Sequence, residues 1–408
     1  MNKKLLALLC VLIATMMLFG ACAAAPQSQE EATASATPDA ESTVVVAKVN
    51  GEPIYYDEYY KVYKSACAQY GVSEDDATYG DYLKNMVLDS LVNQEIMTQK
   101  LTEEGYMDLT DEQKAEAEEN AQAELDSMID YYYKSTIEAE LGEGYTKEEY
   151  EAAKAPYREE LLTQMGTTEE EYKALFVLPV AQDAAKQAKV GDIIPTDADV
   201  QAKYDENVAA DKEAMDADPS VYESTVSSGA TAYYIPAGVR NVRQVLIGID
   251  EDTVNAISLL RGEEFTAQAD YLLEKALAEV KAKADDVLAK IKSGKMTFEE
   301  AIASYNDDKG MPETGYPVTK DSKTYVESFT TGAMGLGKVG DVSDLVASDY
   351  GYHIIEYFSD LPAGAVALDT VKEEIYDTLV TTMQDEAWQK VIDEWTTTSK
   401  IETFKENL

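Results

Sequence analysis

At five places where a helix-like stretch opens, a threonine is followed three residues later by an acidic or amide side chain: Thr110–Gln113, Thr146–Glu149, Thr168–Glu171, Thr196–Asp199 and Thr297–Glu300. At a helix start, the threonine hydroxyl accepts from the third backbone N–H and the later side chain reaches back to the first. A chain punctuated this way is a succession of helices. Four of the five starts fall in the first half. The stretches between them carry apolar residues at helical spacing, as in Tyr82–Glu104 with Met86, Leu88, Leu91, Val92, Ile96 and Leu101. Further helices are expected from Asp57 to Tyr70, from Thr110 to about Glu140, after Thr146, from Thr168 to about Lys189, and from Thr196 through Asn207. Each capped start implies a buried stripe, and a first half built of such stripes forms a mainly helical body.

The period changes in only a few places. Residues 43–49, Thr-Val-Val-Val-Ala-Lys-Val, read as a strand running into an Asn50-Gly51 turn. Gly229–Gly238 marks a boundary. Val242–Ile249 reads as a second strand, followed by helix over Glu263–Lys292 and a short capped helix from Thr297 to Tyr305. Loop and turn sequence leads from there to a last strand, Gly351–Phe358, apolar enough to be central in a small sheet. From Leu368 onward the pattern is helical again, with Val371, Ile375, Leu379, Met383, Trp388, Ile392 and Trp395 in sequence. That helix needs a partner for its apolar stripe, and the helical first half is the expected one.

The formal charge is -44, from 78 acidic against 34 basic residues. Phosphate contacts need basic patches, so nucleic-acid binding is excluded. An anionic membrane repels such a body, so attachment there requires a lipid. Lys3 and Lys4 precede an apolar run from Leu5 to Phe19, too short to span a bilayer, which ends in Phe19-Gly20-Ala21-Cys22. Residues 1–21 therefore read as a signal peptide. Small residues before Cys22 resemble the processing site of bacterial lipoproteins, although Phe19 stands where Leu is usual. Residues 22–42, rich in Ala, Ser, Thr, Pro and Glu, read as a flexible tether. Of three cysteines, Cys10 lies in the signal and Cys22 is the expected lipid site, leaving Cys67 without a disulfide partner. With one histidine and one remaining thiol, no metal site is expected, and no cofactor. The acidic run Asp250–Asp252 matches no calcium loop and reads as solvated charge.

His353 is the single histidine, in Asp349-Tyr-Gly-Tyr-His-Ile-Ile355. A lone histidine in an apolar strand is usually a satisfied core residue, but its neighbours follow an ordered series of motifs. Val242–Ile247, Ala284–Gly294, Phe298–Asp308, Gly340–Ser343 and Tyr350–Ile355 resemble, in order, the blocks of a parvulin-type peptidyl-prolyl isomerase. Residues 46–54, Leu91–Gly105 followed by Thr110-Asp111-Glu112, and Thr196–Asn207 resemble the first part of PrsA-like and SurA-like extracytoplasmic foldases. The resemblance implies an α+β architecture: a mainly helical chaperone domain over 43–235, completed by a C-terminal helix over 365–408, with a parvulin domain of small antiparallel sheet and helices inserted over 238–360.

The resemblance also assigns roles. His353 matches the second of two histidines that face each other in a parvulin site, and Gln244 stands where the first belongs. Asp308 matches a position held by Cys or Asp. Phe329 looks like the floor of the proline pocket and Tyr325 like one of its walls, while Met334 fits the core better than the pocket. The loop from Met311 to Lys323 departs from the family pattern. Asp308 beside His353 is expected to favour a charged imidazole, and Gln244, which cannot titrate, is expected to leave a formed pocket with weak or absent turnover. Implied partners are unfolded, Xaa-Pro-containing secreted polypeptides and, through a lipid, the outer face of the bacterial cell membrane; a homodimer is compatible with this. The implied function is that of a foldase with isomerase and chaperone activity, and the alternative is a non-enzymatic holdase with a degenerate parvulin domain. A solute-binding lipoprotein would need two α/β lobes, which the helical first half argues against. The 28 tyrosines against 7 phenylalanines suit helix edges or a client-binding surface.

Overall fold

The computed structural model describes residues 43–74, 76 and 79–408; the signal segment, the tether and Cys22 lie outside them. In chain order the elements begin with strands β1 (Val45–Val49) and β2 (Glu52–Tyr55) and helices α1 (Tyr56–Tyr70), α2 (Gly80–Glu103), α3 (Asp111–Leu141), α4 (Lys147–Ala153) and α5 (Ala155–Gln164). There follow α6 (Glu169–Ala174), α7 (Val177–Val190), α8 (Asp197–Ala217), α9 (Ser220–Ser227), β3 (Tyr234–Ile235) and β4 (Arg240–Gly248). Next come α10 (Glu251–Gly262), α11 (Thr266–Lys292), α12 (Phe298–Tyr305), β5 (Tyr316–Val318), α13 (Glu327–Gly335) and β6 (Val346–Ser348). Strands β7 (Gly351–Asp360) and β8 (Gly364–Ala365), helix α14 (Leu368–Thr398) and strand β9 (Ile401–Thr403) complete the order. All five threonine starts form reciprocal capping boxes, at Thr110, Thr146, Thr168, Thr196 and Thr297.

The chain divides into two compact units, one of residues up to Ile194 together with Thr381–Leu408, the other Pro195–Val380. In the first, β1 is flanked by β2 and β9, both antiparallel to it. The turn into β2 uses Asn50 at φ 52° and Gly51 at φ 100°, the left-handed pair that a two-residue hairpin requires. Asn50 also ties the far end of the chain: its N–H donates to the Lys400 carbonyl and its Oδ1 accepts from the Lys400 N–H, each at 2.8 Å. Val46, Ala47 and Val49 are buried against Leu83, Leu88, Leu91 and Leu101 of α2, and the end of α14 adds Trp388 and Trp395 to the same core. The two indoles meet edge to face at 5.4 Å, and the Lys189 ammonium lies 5.5 Å from the Trp395 ring centre. Cys67 is a free, buried thiol in this core. A second core gathers Leu125, Ile129 and Ile137 of α3 with Leu161, Leu162 and Tyr172.

The second unit is built on a four-stranded antiparallel sheet of order β5-β4-β7-β6. Its two faces bury different sets. Val245, Ile247 and Ile354 pack with Ala284, Val287, Phe298 and Ala301 of α11 and α12. Val242 and Ile355 pack with Phe329 and Ala333 of α13.

Several expectations are corrected. The helix expected from Thr168 to Lys189 is two helices, because Pro179 has no N–H to continue α6 and sits instead in the first turn of α7. The helix from Thr196 runs ten residues past Asn207, to Ala217. The acidic run after Ile249 is exposed, in keeping with solvated charge, and it also starts a helix that was not expected: Asp250 Oδ1 accepts from the Thr253 N–H at 2.9 Å and opens α10. Helix α13 lies where loop sequence was expected; its glycines and threonines are poor helix formers, and Gly332 is there because a Cβ would come within 2.7 Å of Val346. Residues 195–235, assigned above to the helical domain, pack within the second unit: Met215 and Tyr222 share a core with Val239, and Tyr204 donates to the Val366 carbonyl at 2.6 Å. Helix α14 divides likewise, with Val371 and Ile375 in a core with Val200 and the tryptophans in the first unit.

Because both tryptophans are buried in one core, Trp395→Ala is expected to cost about 3–5 kcal/mol. Urea unfolding followed by far-ultraviolet circular dichroism checks this through a lowered midpoint at unchanged slope.

Candidate active site around His353

Strand β7 pairs with β4 over nine residue pairs, with Gln244 opposite Ile355 and Leu246 opposite His353. Gly351 starts β7 at φ 138°, and a Cβ there would meet the Ile247 carbonyl oxygen at 2.3 Å, so the glycine of the Tyr-Gly-Tyr-His motif is required by the approach of the two strands. That approach sets the position of His353, which is 4% exposed. Gln244 is nearly as buried. Asp308 follows α12 and is fixed by the Gly310 N–H, which donates to Oδ1 at 3.1 Å.

These side chains form one hydrogen-bonded row. Gln244 Nε2 donates to Asp308 Oδ2 at 2.7 Å, and the Tyr316 hydroxyl donates to the same oxygen at 2.8 Å. Gln244 Oε1 lies 2.5 Å from His353 Nδ1, and Ser348 Oγ lies 2.6 Å from His353 Nε2. The amide nitrogen can only donate, so it must face the carboxylate. The amide oxygen can only accept, so Nδ1 carries the imidazole proton. In a neutral ring Nε2 then accepts from the Ser348 hydroxyl. Every atom of the row is satisfied with the histidine uncharged.

Burial pushes the His353 pKa down to about 4, against the opposing pull of Asp308. The expectation of a charged imidazole is therefore corrected. Asp308 reaches the ring through the Gln244 amide, and loss of water around the cation outweighs the carboxylate. Burial first, and Asp308 second, raise the Tyr316 hydroxyl well above its ordinary pKa and keep it a donor.

The floor of the site is aromatic. Phe329, 3% exposed, meets the His353 ring edge to face at 5.4 Å. Tyr325 lies 5.5 Å from Phe329 and Tyr316 lies 5.5 Å from Tyr325, so three rings lead away from the imidazole. Burial pushes Tyr325 up to about 12. A groove of about 300 Å³, lined by Leu273, Val326, Ser328, Ser348 and Asp349 among others, reaches the hydroxyl that holds Nε2.

The structure thus brings His353, Gln244, Asp308, Phe329 and Tyr325 together. Met334 packs against the Phe329 core, and Cys22 lies outside the described residues. Sequence reasoning missed Ser348 and Tyr316. Tyr316 lies in the divergent loop, where only a tyrosine among Gly and Pro marks it; Ser348 stands five residues before His353, one hairpin turn away. The described residues contain no group of three or more His, Cys, Asp or Glu able to hold a metal ion.

The buried, hydrogen-bonded row and its aromatic floor lie in a part of the chain whose class is a parvulin-type peptidyl-prolyl isomerase domain. Residues 265–359 match the PPIC-type PPIASE domain family, and residues 2–132 match the SurA-like N-terminal domain family. The foldase protein PrsA of Clostridium botulinum strain 657 is 26% identical over 417 residues, covering 100% of this chain and 98% of that protein. The foldase protein PrsA of Clostridium perfringens strain ATCC 13124 is 26% identical over 153 residues, covering 36% of this chain and 44% of that protein. The crystal structure of PrsA from Bacillus subtilis shares 18% identity over 87% of this chain and 92% of that one, at a TM-score of 0.22. The chain thus carries a PPIC-type isomerase domain and a SurA-like N-terminal domain, and it is similar over its whole length to PrsA foldase proteins.

As the single histidine, His353 can be followed without ambiguity. Its ring is expected to titrate near pH 4 with the proton on Nδ1 at neutral pH, read from nitrogen-15 shifts of the imidazole. In the unfolded chain the group takes up its proton near pH 6.5, and in the folded chain only near 4. Stability from this residue is therefore present above 6.5 and lost as pH falls between the two values. The loss is about 3 kcal/mol. His353→Gln should lack that portion of the acid sensitivity in denaturant titrations at pH 6.5 and pH 4.

Proposed function

We propose that His353, Gln244 and Asp308 form the polar side of an isomerase pocket whose floor and wall are Phe329 and Tyr325, and that the chain acts outside the cytoplasmic membrane on unfolded secreted polypeptides. The observation that carries the site reading is the unbroken row Asp308–Gln244–His353–Ser348 beside the Phe329 ring. Peptidyl-prolyl isomerase activity belongs to the PPIC-type domain, and the foldase role follows from pairing it with a SurA-like domain.

Prolyl isomerisation breaks no bond; its barrier, about 18–20 kcal/mol, is amide resonance. A catalyst lowers it by holding the twisted amide better than either planar form. An aromatic floor grips the pyrrolidine ring and keeps water from the carbonyl. Water then no longer stabilises the planar, more polar amide. The row supplies fixed dipoles in place of charges. Neutral His353 is held in one tautomer and one orientation, so its environment needs no rearrangement while the amide turns. Gln244 does the holding by accepting from Nδ1, a task that a neutral amide performs without titrating.

Chaperone contacts fall to the first unit. It presents Tyr79, just before α2, Tyr82 on α2 and Tyr131 on α3 to solvent, Tyr131 at 82% exposure, as amphipathic contacts for extended chains. Attachment to the membrane is proposed through Cys22, on the sequence Phe19-Gly20-Ala21-Cys22. Among the described residues no helix is long and apolar enough to cross a membrane. Two units with separate cores also suit a chain that acts as a single copy or as a homodimer.

A second reading is favoured by Gln244 itself, which stands where the resemblance expects a histidine: a holdase whose isomerase domain only binds. The full chain should accelerate cis–trans exchange of a short Ala-Pro peptide in NMR exchange spectra. His353→Ala and Phe329→Ala should each lower kcat/KM at least about tenfold. Absence of acceleration by the folded wild-type chain, together with suppressed aggregation of an unfolded client, would establish the holdase reading.

A further inference from the structure

Glu223 is 0% exposed, and it lies on α9, outside both the residues 238–360 expected to form the isomerase domain and the 265–359 matched to that family. Its carboxylate is spent entirely on the loop that joins β5 to α13. One oxygen accepts from the Thr319 N–H, immediately after β5, and the other accepts from the Ser322 hydroxyl at 2.5 Å. Ser322 Oγ in turn accepts from the backbone N–H groups of Thr324 and Tyr325, each at 3.3 Å. Glu223 thus holds the segment between Tyr316, whose hydroxyl binds Asp308, and Tyr325, whose ring abuts Phe329, at two interior points, Thr319 and Ser322.

The helix that presents Glu223 is itself anchored. Asp218 accepts from the Ser220 N–H at 3.1 Å and from its hydroxyl at 2.7 Å, and it pairs with Lys323 on the same loop. Tyr222 packs beside it with Met215 and Val239. A fully buried carboxylate bonded to neutral donors costs desolvation that an apolar side chain would not. What it gives in return is geometry, since one oxygen fixes the Thr319 main chain and the other fixes the Ser322 hydroxyl, which in turn holds the N–H groups of Thr324 and Tyr325.

We propose that Glu223 is a positioning residue of the isomerase site, setting through Ser322 the main chain that carries Tyr325 and so the wall of the proline pocket. The functional isomerase unit accordingly begins before residue 223. This rests on the site reading given above, and two readouts keep the two apart.

The test uses the full chain. Exchange of the Ala-Pro peptide is measured over a concentration series to separate KM from kcat, and amide hydrogen exchange is measured over residues 319–326. Glu223→Ala should raise KM about tenfold with kcat within about twofold, as expected for loss of a wall that grips ground and transition states alike. The amides of Thr319, Thr324 and Tyr325 should exchange faster. Glu223→Gln has one acceptor for two donors, since its amide nitrogen only donates, and should recover KM only in part, between Glu223→Ala and wild type. Ser322→Ala breaks the same link from the loop side and should reproduce the KM effect, which decides the matter if Glu223→Ala does not fold. A folded Glu223→Ala chain with unchanged KM and unchanged loop exchange overturns the proposal. A wild-type chain without isomerase activity removes the site reading, while the exchange of Tyr325 still decides the placement: faster in Glu223→Ala supports it, unchanged overturns it.

Discussion

Every part of the candidate site depends on the register of β4 against β7. Nine pairs fix it, from Arg240 opposite Asp360 to Gly248 opposite Gly351. Because side chains alternate across a strand, a slip of one residue by either strand would separate Gln244 from His353, sending one of them to the face that packs on α11 and α12 and bringing Val245 or Ile354 to the pocket. The register is held at one end by Gly351, where no Cβ fits against Ile247, and across the faces by two distinct apolar sets. Hydrogen bonds to Gly340 and Ser343 continue the ladder beyond β6, with Ser343 both donating to and accepting from Ile355.

On that frame the polar row is closed and uncharged at its centre. Buried polar groups are tolerated when every donor and acceptor is matched. Here the matching has one direction: Ser348 to His353, His353 to Gln244, Gln244 to Asp308, with Tyr316 meeting it from the other side. A histidine at position 244 would offer one nitrogen donor and one acceptor that exchange roles with tautomer. The glutamine locks the polarity of the row instead. It replaces a titrating pair with a fixed dipole, which is why burial decides the state of His353 unopposed by any second imidazole.

Much of this was legible in the sequence. The five threonine caps, the Asn50-Gly51 turn and the Tyr-Gly-Tyr-His strand are local signals, written within four to seven residues, and they appear where the periodicity places them. His353, Gln244 and Asp308 stand inside the ordered blocks, while Phe329 and Tyr325 lie between blocks and are marked only by the resemblance. The rest depends on contacts distant in sequence. Helix α13 has the composition of a loop and is held by packing on β6. Tyr316 and Ser348 enter the site through sheet pairing. The charge state of His353 follows from solvent exclusion, which motif spacing does not encode. Glu223 lies 96 residues from Thr319, and no local pattern links them.

The strand pairing of the first unit has a temporal meaning. Strand β1 stands at residue 45, and the strand that completes its sheet, β9, begins at 401, after the whole second unit. Asn50 waits for Lys400 across a separation of 350 residues. Closing so long a loop costs little more than closing one half as long, yet it cannot begin until the far end is present. For a polypeptide delivered from its N-terminus, the isomerase unit can therefore mature while the helical unit is still open, its sheet lacking one edge and its core lacking both tryptophans. The topology thus leaves the sheet of the helical body to be closed by a strand that is made after the whole second unit.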